Sequence, residues 1–121
     1  MLQRRAERRV QRFPVRLPLF ELNGRPAPDS YLVDISSLGA QLESSESVGL
    51  RAPVEFVVQF PWMEQEIRLA GQTKWVKPLI GRPGRFRMGL CFFNPYWEVD
   101  TFAREGKLQI DKIAIPPNEI Q

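Results

Sequence analysis

Two clusters of polar residues have types and spacings that could bind a ligand. The first is Asp34-Ile35-Ser36-Ser37-Leu38-Gly39, which follows the pattern D-x-S-x-x-G. Asp and Ser side chains accept hydrogen bonds, and glycine adopts backbone conformations that strain other residues. One interpretation is a tight turn between two strands, in which Asp34 accepts from the turn's own N–H groups. The other is a surface where Asp34 and Ser36 bind a ligand rich in N–H donors and Gly39 lets that ligand approach the backbone.

The second cluster is a run of arginines near the N-terminus. The first 16 residues contain a single acid, Glu7, and six arginines, which are Arg4, Arg5, Arg8, Arg9, Arg12 and Arg16. Such a block attracts phosphate or another anion. Because no lysine occurs here, the block favours planar, forked recognition over a diffuse point charge. Taken alone, a run of this kind is usually a solvated tail or one that binds RNA without specificity.

The composition is typical of a single globular domain. The chain has 121 residues, of which 43% are hydrophobic and 26% are charged, and this length can bury a core without disulfides. The one cysteine, Cys91, lies between Leu90 and Phe92, and we expect a small core residue there. A lone cysteine excludes an internal disulfide and fits a reducing cytosol.

Several function classes are disfavoured by what the sequence lacks. There is no histidine, the commonest general base and metal ligand. We find no activated nucleophile–base pair, metal cluster or phosphate loop, so an enzyme is not expected and no metal or cofactor is implied. No apolar run approaches the roughly 18 residues of a membrane span, and no apolar segment follows the basic N-terminus as in a secretory signal.

Alternating and apolar runs predict six strands, at residues 13–22, 31–35, 40–44, 54–60, 64–77 and 85–93. Their number and spacing predict a mainly β fold, an antiparallel barrel or sandwich. Pro14 and Pro18 favour an edge position for the first strand, and Gly71 indicates a bend or bulge in the fifth. A short helix is plausible within residues 96–110. We therefore expect a flexible Arg-rich arm at residues 1–12, a β-barrel domain at 13–110 and a loose tail at 111–121.

Both clusters together, in this order and flanking a predicted strand, resemble the PilZ family of cyclic di-GMP receptors. The likeness rests on an R-x-x-x-R pattern in Arg8-Arg9-Val10-Gln11-Arg12 and on the D-x-S-x-x-G stretch. Phe86-Arg87-Met88-Gly89-Leu90-Cys91-Phe92 also looks like a late strand of that family. The resemblance covers roughly residues 4–93. It implies a six-stranded β-barrel of PilZ type.

The resemblance implies a set of ligand-binding residues. We assign R-x-x-x-R to Arg8 and Arg12, since the first strand follows at once; Arg9 is then a helper, and Arg4 and Arg5 are secondary candidates. The other implied contacts are Asp34, Ser36 and Gly39. Arginine can pair with phosphate, bind guanine O6 and N7 and stack on the purine, while Asp34 can accept from the guanine N1–H and N2–H₂ edge. Glu7 stands where many relatives carry another arginine, which leaves open whether one ligand molecule or a stacked pair binds.

The expected function is a cyclic di-GMP receptor that changes its N-terminal arm on binding and signals to a protein partner. Two alternatives remain open. One is an adaptor of the same fold without nucleotide binding. The other is a nucleic-acid-binding barrel, in which tryptophans would serve as stacking platforms. Trp75 lies in a predicted strand and is interpreted as core, whereas Trp62, after Pro61, is the more exposed candidate.

Overall fold

The computed structural model describes residues 10–108 and confirms a mainly β fold with one short helix. Residues 1–9 of the expected arm, which include Arg4, Arg5, Arg8 and Arg9, lie outside the described residues, as does the expected tail at 111–121. The strands are β1 (Phe13–Pro18), β2 (Glu21–Leu22), β3 (Arg25–Pro26), β4 (Tyr31–Ile35), β5 (Gly39–Ser44), β6 (Pro53–Val58), β7 (Ile67–Pro78) and β8 (Phe86–Phe92), and the helix is α1 (Glu98–Arg104).

The described part of the chain has eight strands rather than the six expected, because the first predicted strand is divided and a short hairpin follows it. Leu19 and Phe20 separate β1 from β2. Asn23 and Gly24 then both take positive φ, at 53° and 81°, and form a two-residue hairpin turn into β3. Asn-Gly is the residue pair that such a turn favours, since both positions require left-handed backbone.

All strands belong to one antiparallel sheet in the order β1-β4-β5-β8-β7-β6-β2-β3. The sheet is not a closed barrel, since β1 and β3 form its two ends. The chain nevertheless crosses between distant parts of the sheet, because β1 pairs with β4 and β2 pairs with β6. At the crossing, Leu19 N–H donates to the Ser30 carbonyl and Phe20 N–H to the Val57 carbonyl, both at 2.8 Å. The sheet therefore curls around one core.

The core lies on the concave face of the sheet and follows the predicted alternation. Val15, Leu17 and Leu19 are buried, as are Met88 and Leu90 on β8. The edge position expected of the Pro-containing first strand is confirmed. Helix α1 adds to the same core through two buried residues, Val99 and Phe102, and the Phe102 ring lies 5.5 Å from that of Phe60 and 5.1 Å from that of Trp62.

Cys91 is exposed, so its expected place in the core was wrong. Leu90 and Phe92 are buried, and strand alternation therefore turns Cys91 to the outer face. Gly71 pairs with Phe92 and is a point of close approach, because a Cβ there would collide with the Cys91 carbonyl. The irregularity in β7 lies further along, between Thr73 and Trp75. None of the helices within residues 10–108 is long and apolar enough to cross a membrane.

A buried carboxylate links four parts of the fold. Glu43 on β5 is only 1% exposed and lies beside four arginines, which together we call the Glu43 cluster. Arg85 donates to Glu43 at 2.9 Å, and Arg82, from the same β7–β8 connection, lies at 3.5 Å. Arg16 on β1 lies at 3.6 Å and Arg87 on β8 at 3.8 Å. Burial alone would raise the pKa of Glu43, but the Arg85 hydrogen bond and the charges of Arg16 and Arg82 bring it below its ordinary value.

We expect Glu43→Gln to lower the free energy of unfolding by about 3 kcal/mol at neutral pH, because it leaves clustered guanidinium groups without their counter-charge. The folded state lowers the pKa of Glu43, so the stability that this carboxylate contributes is present above the pKa of the unfolded chain. It is lost as the pH falls through the folded pKa. Urea unfolding of both proteins over a pH series measures the difference.

Glu46→Gln is the matched control, since Glu46 pairs with Arg25 at 3.7 Å in an exposed setting and should contribute little. A loss in Glu46→Gln equal to that in Glu43→Gln would contradict the special role of Glu43. So would a wild-type advantage that does not shrink in acid.

Candidate functional site

The D-x-S-x-x-G stretch forms the turn between β4 and β5, and Ser36 organises it. The Ser36 hydroxyl accepts from the backbone N–H of Leu38 at 3.2 Å and of Gly39 at 3.1 Å. The Ser36 N–H donates to the Gly39 carbonyl at 2.9 Å. Ser36 is fully buried, and the contacts described for its hydroxyl are those within the turn. A direct contact between Ser36 and a ligand stays a prediction.

Gly39 is required here for close packing and not for its backbone angles. Its φ is not positive, so the expected strained conformation was wrong. Gly39 pairs with Cys91 on β8, and a Cβ added to Gly39 would collide with the carbonyl oxygen of Leu90. The glycine thus allows β5 and β8 to approach each other directly after the turn.

Asp34 and Arg12 form an ion pair at the edge of the sheet. The Arg12 Nε lies 3.1 Å from the Asp34 Oδ1. Pro14 on β1 pairs with Asp34 on β4, which brings the residues just before β1 alongside this carboxylate. The two side chains are 44% and 23% exposed. An ion pair in such a setting contributes at most about 1 kcal/mol, so it can open to admit another partner.

Strand register aligns Asp34 with three further residues across the sheet. Asp34 on β4 pairs with Gln41 on β5, Gln41 pairs with Gly89 on β8, and Gly89 pairs with Trp75 on β7. We call these four residues the site row. Gln41, Gly89 and Trp75 of this row line a surface groove of about 290 Å³, together with Arg12, Ala40, Lys74 and Leu90. Asp34 lies next to the groove through its ion pair with Arg12.

Irregularities in two strands orient the ends of the site row. The register of β4 shifts between Leu32 and Asp34, and the register of β7 shifts between Thr73 and Trp75. A bulge places one extra residue in a strand and redirects the side chains around it. In β7 the consecutive residues Lys74 and Trp75 both line the groove, although regular alternation would send them to opposite faces.

Gly89 makes room for the indole ring of Trp75. A Cβ at Gly89 would collide with the Nε1 and Cε2 atoms of that ring, so the ring lies against the backbone of β8. Trp75 is only half-buried, and the interpretation of this residue as core was therefore wrong. The Lys77 ammonium lies 5.4 Å from the centre of the ring. The groove thus combines an aromatic surface with the cations Arg12 and Lys74, and the carboxylate of Asp34 lies beside it, paired with Arg12.

Of the predicted site residues within residues 10–108, the structure brings Arg12, Asp34, Ser36 and Gly39 to one end of the sheet. The groove also contains Gln41, Lys74, Trp75 and Gly89, which were not predicted as site residues from the sequence. The signal that could have located Gly89 is a glycine within the alternating pattern of the last strand, since such a glycine marks a close approach. Within the described residues no group of three or more acids or cysteines could hold a metal ion.

Together, the strands form one antiparallel sheet with a groove on its surface. The PilZ domain model matches residues 3–98, which is most of the chain. The chain belongs to the PilZ family, a family of cyclic di-GMP receptors and adaptors.

The fold is similar to that of the Bacillus subtilis inhibitor of motility MotI/DgrA, with a TM-score of 0.59 at 10% sequence identity. The similarity covers 83% of this chain and 51% of that one, so the chain spans about half the length of the Bacillus protein. At this level of identity the similarity concerns the fold alone. A search of curated proteins gave no match.

We expect Gly39→Ala to lower the melting temperature, because its Cβ would force β5 away from the Leu90 carbonyl at a cost of about 1–3 kcal/mol. Gly49→Ala is the control, since a Cβ there meets nothing within 4 Å. Thermal unfolding of the three proteins by circular dichroism measures the effect. A melting temperature of Gly39→Ala equal to that of Gly49→Ala would contradict the close-approach argument.

Proposed function

We propose that this chain is a cyclic di-GMP receptor whose ligand lies in the groove along the site row. The observation that carries the proposal is the register that aligns Asp34, Gln41, Gly89 and Trp75 across four strands, with Arg12 at one end. An aromatic surface and cations therefore line one groove, and a hydrogen-bond acceptor, Asp34, lies beside it in contact with the lining residue Arg12. Its volume of about 290 Å³ is close to the lower end of the range for small-molecule sites.

Each part of the groove fits one part of the ligand. A guanine presents N1–H and N2–H₂ donors on one edge, and the carboxylate of Asp34 accepts from them. The Arg12 contact uses Oδ1 of Asp34, and a carboxylate has further acceptor positions. The indole of Trp75 offers a surface on which a purine can stack. Arg12 and Lys74 supply positive charge to the ligand's phosphates, and the Arg12 fork can also bind guanine O6 and N7.

The ion pair between Arg12 and Asp34 keeps both groups in place before the ligand arrives. In the free protein each partly neutralises the other at the groove edge. On binding, the guanine edge takes acceptor positions on Asp34, and Arg12 turns towards phosphate or the guanine face. Because an exposed ion pair contributes at most about 1 kcal/mol, opening it takes up little of the binding free energy. Ser36 supports Asp34 indirectly by fixing the turn that follows it.

The N-terminal arginines complete the proposed site. Arg8 belongs to the same R-x-x-x-R pattern as Arg12 and precedes it by four residues. We propose that Arg8 and Arg9 close over the ligand, with Arg4 and Arg5 as secondary contacts. Ordering an arm costs about 1–2 kcal/mol per residue, which keeps the affinity moderate although the contacts are charged.

The proposed output is a changed surface that a protein partner binds. The arm and the groove adjoin each other at Arg12, so closing the arm alters the surface next to β1 and β4. A ligand can shift such an equilibrium because it binds the closed form better. The similar Bacillus protein is an inhibitor of motility, which supports a regulatory rather than a catalytic use of this fold.

Calorimetric titration with cyclic di-GMP tests the site. We expect micromolar or tighter binding, and a loss of at least about tenfold for Arg12→Ala, Asp34→Ala and Trp75→Ala, since each removes a charge-assisted or stacking contact of about 1.5–3 kcal/mol. Arg12→Lys should also weaken binding, because an ammonium cannot replace a fork. Trp97→Ala is the matched control, since Trp97 is 60% exposed and does not line the groove.

GTP and a short RNA are the ligand controls. No heat with cyclic di-GMP at near-physiological salt, together with unchanged NMR spectra, would overturn the proposal. Tight RNA binding with a steep salt dependence and no preference for the dinucleotide would support the nucleic-acid alternative instead. An equal loss from Trp97→Ala and Trp75→Ala would place the stacking surface elsewhere.

Amide hydrogen exchange across residues 1–13 tests the proposed arm. We expect exchange in this segment to slow at saturating cyclic di-GMP, because Arg8 and Arg12 then have anionic partners that fix the chain. The Asp34→Ala variant, measured at the same ligand concentration, should show less protection. Equal exchange with and without ligand in a protein that binds would exclude the arm as the switch, while leaving the groove as the binding site.

A further inference from the structure

The Glu43 cluster lies on the same sheet surface as the groove, one row further along. Gln41 and Glu43 are two residues apart on β5, and their partners Gly89 and Arg87 are two residues apart on β8. Residues two apart along a strand point to the same face and are about 7 Å from each other. Lys77 on β7 pairs with Arg87 and extends this second row.

The cluster carries more positive charge than its carboxylate neutralises. Within the described residues, Arg82, Arg85 and Arg87 lie beside the single carboxylate of Glu43, so their three positive charges exceed its one negative charge. Only Arg85 is within hydrogen-bond distance of Glu43 among these pairs. The heads of Arg82 and Arg87 remain 3.5 and 3.8 Å away, and their side chains are 55% and 40% exposed. Each guanidinium has five N–H donors, so these two arginines can donate to a second anion.

Two buried donors support the same conclusion. The Nε atoms of Arg85 and Arg87 are buried and, within residues 10–108, donate to no acceptor. Buried guanidinium N–H groups generally have a partner. An oxyanion that approached from the exposed side of Arg82 and Arg87 would add acceptors to a group of donors that Glu43 alone does not satisfy.

The arginines are also held in place before any anion arrives. In the β7–β8 connection, Leu79 N–H donates to the Arg85 carbonyl at 2.9 Å and Arg85 N–H to the Arg82 carbonyl at 3.1 Å. The Arg85 Nη1 donates to the Asp29 carbonyl at 2.6 Å. Glu43 offsets the repulsion between the guanidinium groups and keeps them together. Such preorganised charges bind an anion with little loss of conformational entropy.

We propose that the Glu43 cluster is a second binding site, distinct from the groove, that takes a phosphate group with several free oxygens, such as a pyrophosphate or a phosphomonoester. Arg82 and Arg87 form its exposed side and donate to the phosphate oxygens, while Glu43 holds the arginines from below. Forked guanidinium–phosphate pairs are the recognition mode that these side chains favour. The proposal does not depend on cyclic di-GMP binding in the groove.

The connection that supplies Arg82 and Arg85 also carries Ile80, which is 100% exposed. A phosphate group is offered either by a soluble molecule or by a lipid headgroup. An apolar side chain beside a phosphate site would contact the acyl boundary of a bilayer but would add nothing to the binding of a small anion. Ile80 therefore distinguishes the two sources.

Titration with inorganic pyrophosphate, followed by NMR at low and near-physiological salt, tests the site. We expect Arg82→Ala and Arg87→Ala to weaken pyrophosphate binding up to about fivefold each, the upper end of the effect of one exposed ion pair. Arg104→Ala on α1 is the control for an exposed arginine elsewhere and should bind pyrophosphate as the unmodified chain does. Arg12→Ala removes a cation of the groove and shows whether pyrophosphate also binds there; it should weaken pyrophosphate binding less than Arg82→Ala or Arg87→Ala. Arg82 and Arg87 also lie beside the Glu43 carboxylate, so the melting temperature of each variant is measured as well, and binding is compared at a temperature where both variants are folded.

The contrary results are specific. Absence of pyrophosphate binding at low salt, together with absence of binding to vesicles that contain phosphatidic acid, would overturn the proposal. If Arg104→Ala weakens pyrophosphate binding equally, the anion binds through non-specific attraction to positive charge and not at the Glu43 cluster. Weakening by Arg12→Ala alone would assign the anion to the groove. If Arg82→Ala and Arg87→Ala weaken cyclic di-GMP as strongly as pyrophosphate, the cluster is part of the groove site and not a second one.

Sedimentation with phosphatidylcholine vesicles, with and without phosphatidic acid, identifies the source. For a lipid headgroup we expect binding only with phosphatidic acid, lost in Arg82→Ala and reduced in Ile80→Ser, while Ile80→Ser leaves pyrophosphate binding unchanged. Leu50→Ser, at another exposed apolar position, should not reduce it. For a soluble phosphate we expect pyrophosphate binding without sedimentation. Failure of both ligands overturns the site whether or not cyclic di-GMP binds.

Discussion

The buried carboxylate of Glu43 constrains the arrangement of much of this sheet. A charge removed from water must be surrounded by opposite charge, and here that charge comes from β1, from β8 and from the connection between β7 and β8. The arrangement requires Arg87 to stand opposite Glu43, which fixes the register of β5 against β8. The same register sets Gly89 opposite Gln41, two residues along. A slip of one residue would turn both pairs to the core side, so the charge cluster and the groove depend on one alignment.

Much of the fold could be predicted because alternation and turn residues are local signals. The strand at residues 31–35 has the predicted bounds, and Pro14 and Pro18 marked an edge strand correctly. The division of the first predicted strand could not be predicted. It arises at Leu19 and Phe20, where the chain stops pairing with β4 and begins to pair with β6. The exposure of Cys91 follows from alternation with Leu90 and Phe92, but its apolar neighbours on the chain pointed to the core.

The positions of the candidate site residues were predictable where these residues form a motif and hidden where they meet only through strand pairing. Asp34 and Arg12 are 22 positions apart, yet both belong to patterns visible in the sequence, and they do meet. Trp75 was assigned to the core because a strand residue with apolar character usually lies there. A bulge and the space over Gly89 turn it outwards, and neither is visible until β7 and β8 are aligned. The role of Glu43 was hidden for the same reason, since its four arginines come from two distant stretches of the sequence, at Arg16 and at residues 82–87.

The bulge in β7 also has an evolutionary consequence. Thr73 is buried and Val76 packs against the core, so packing restricts which residues can stand on either side of the bulge. Lys74 is the additional residue that the bulge admits, and it is exposed at the groove. A substitution at this position changes the charge at the groove without altering a core contact. Sequence variation at position 74 can therefore change the charge of the groove among descendants of this domain while the fold remains intact.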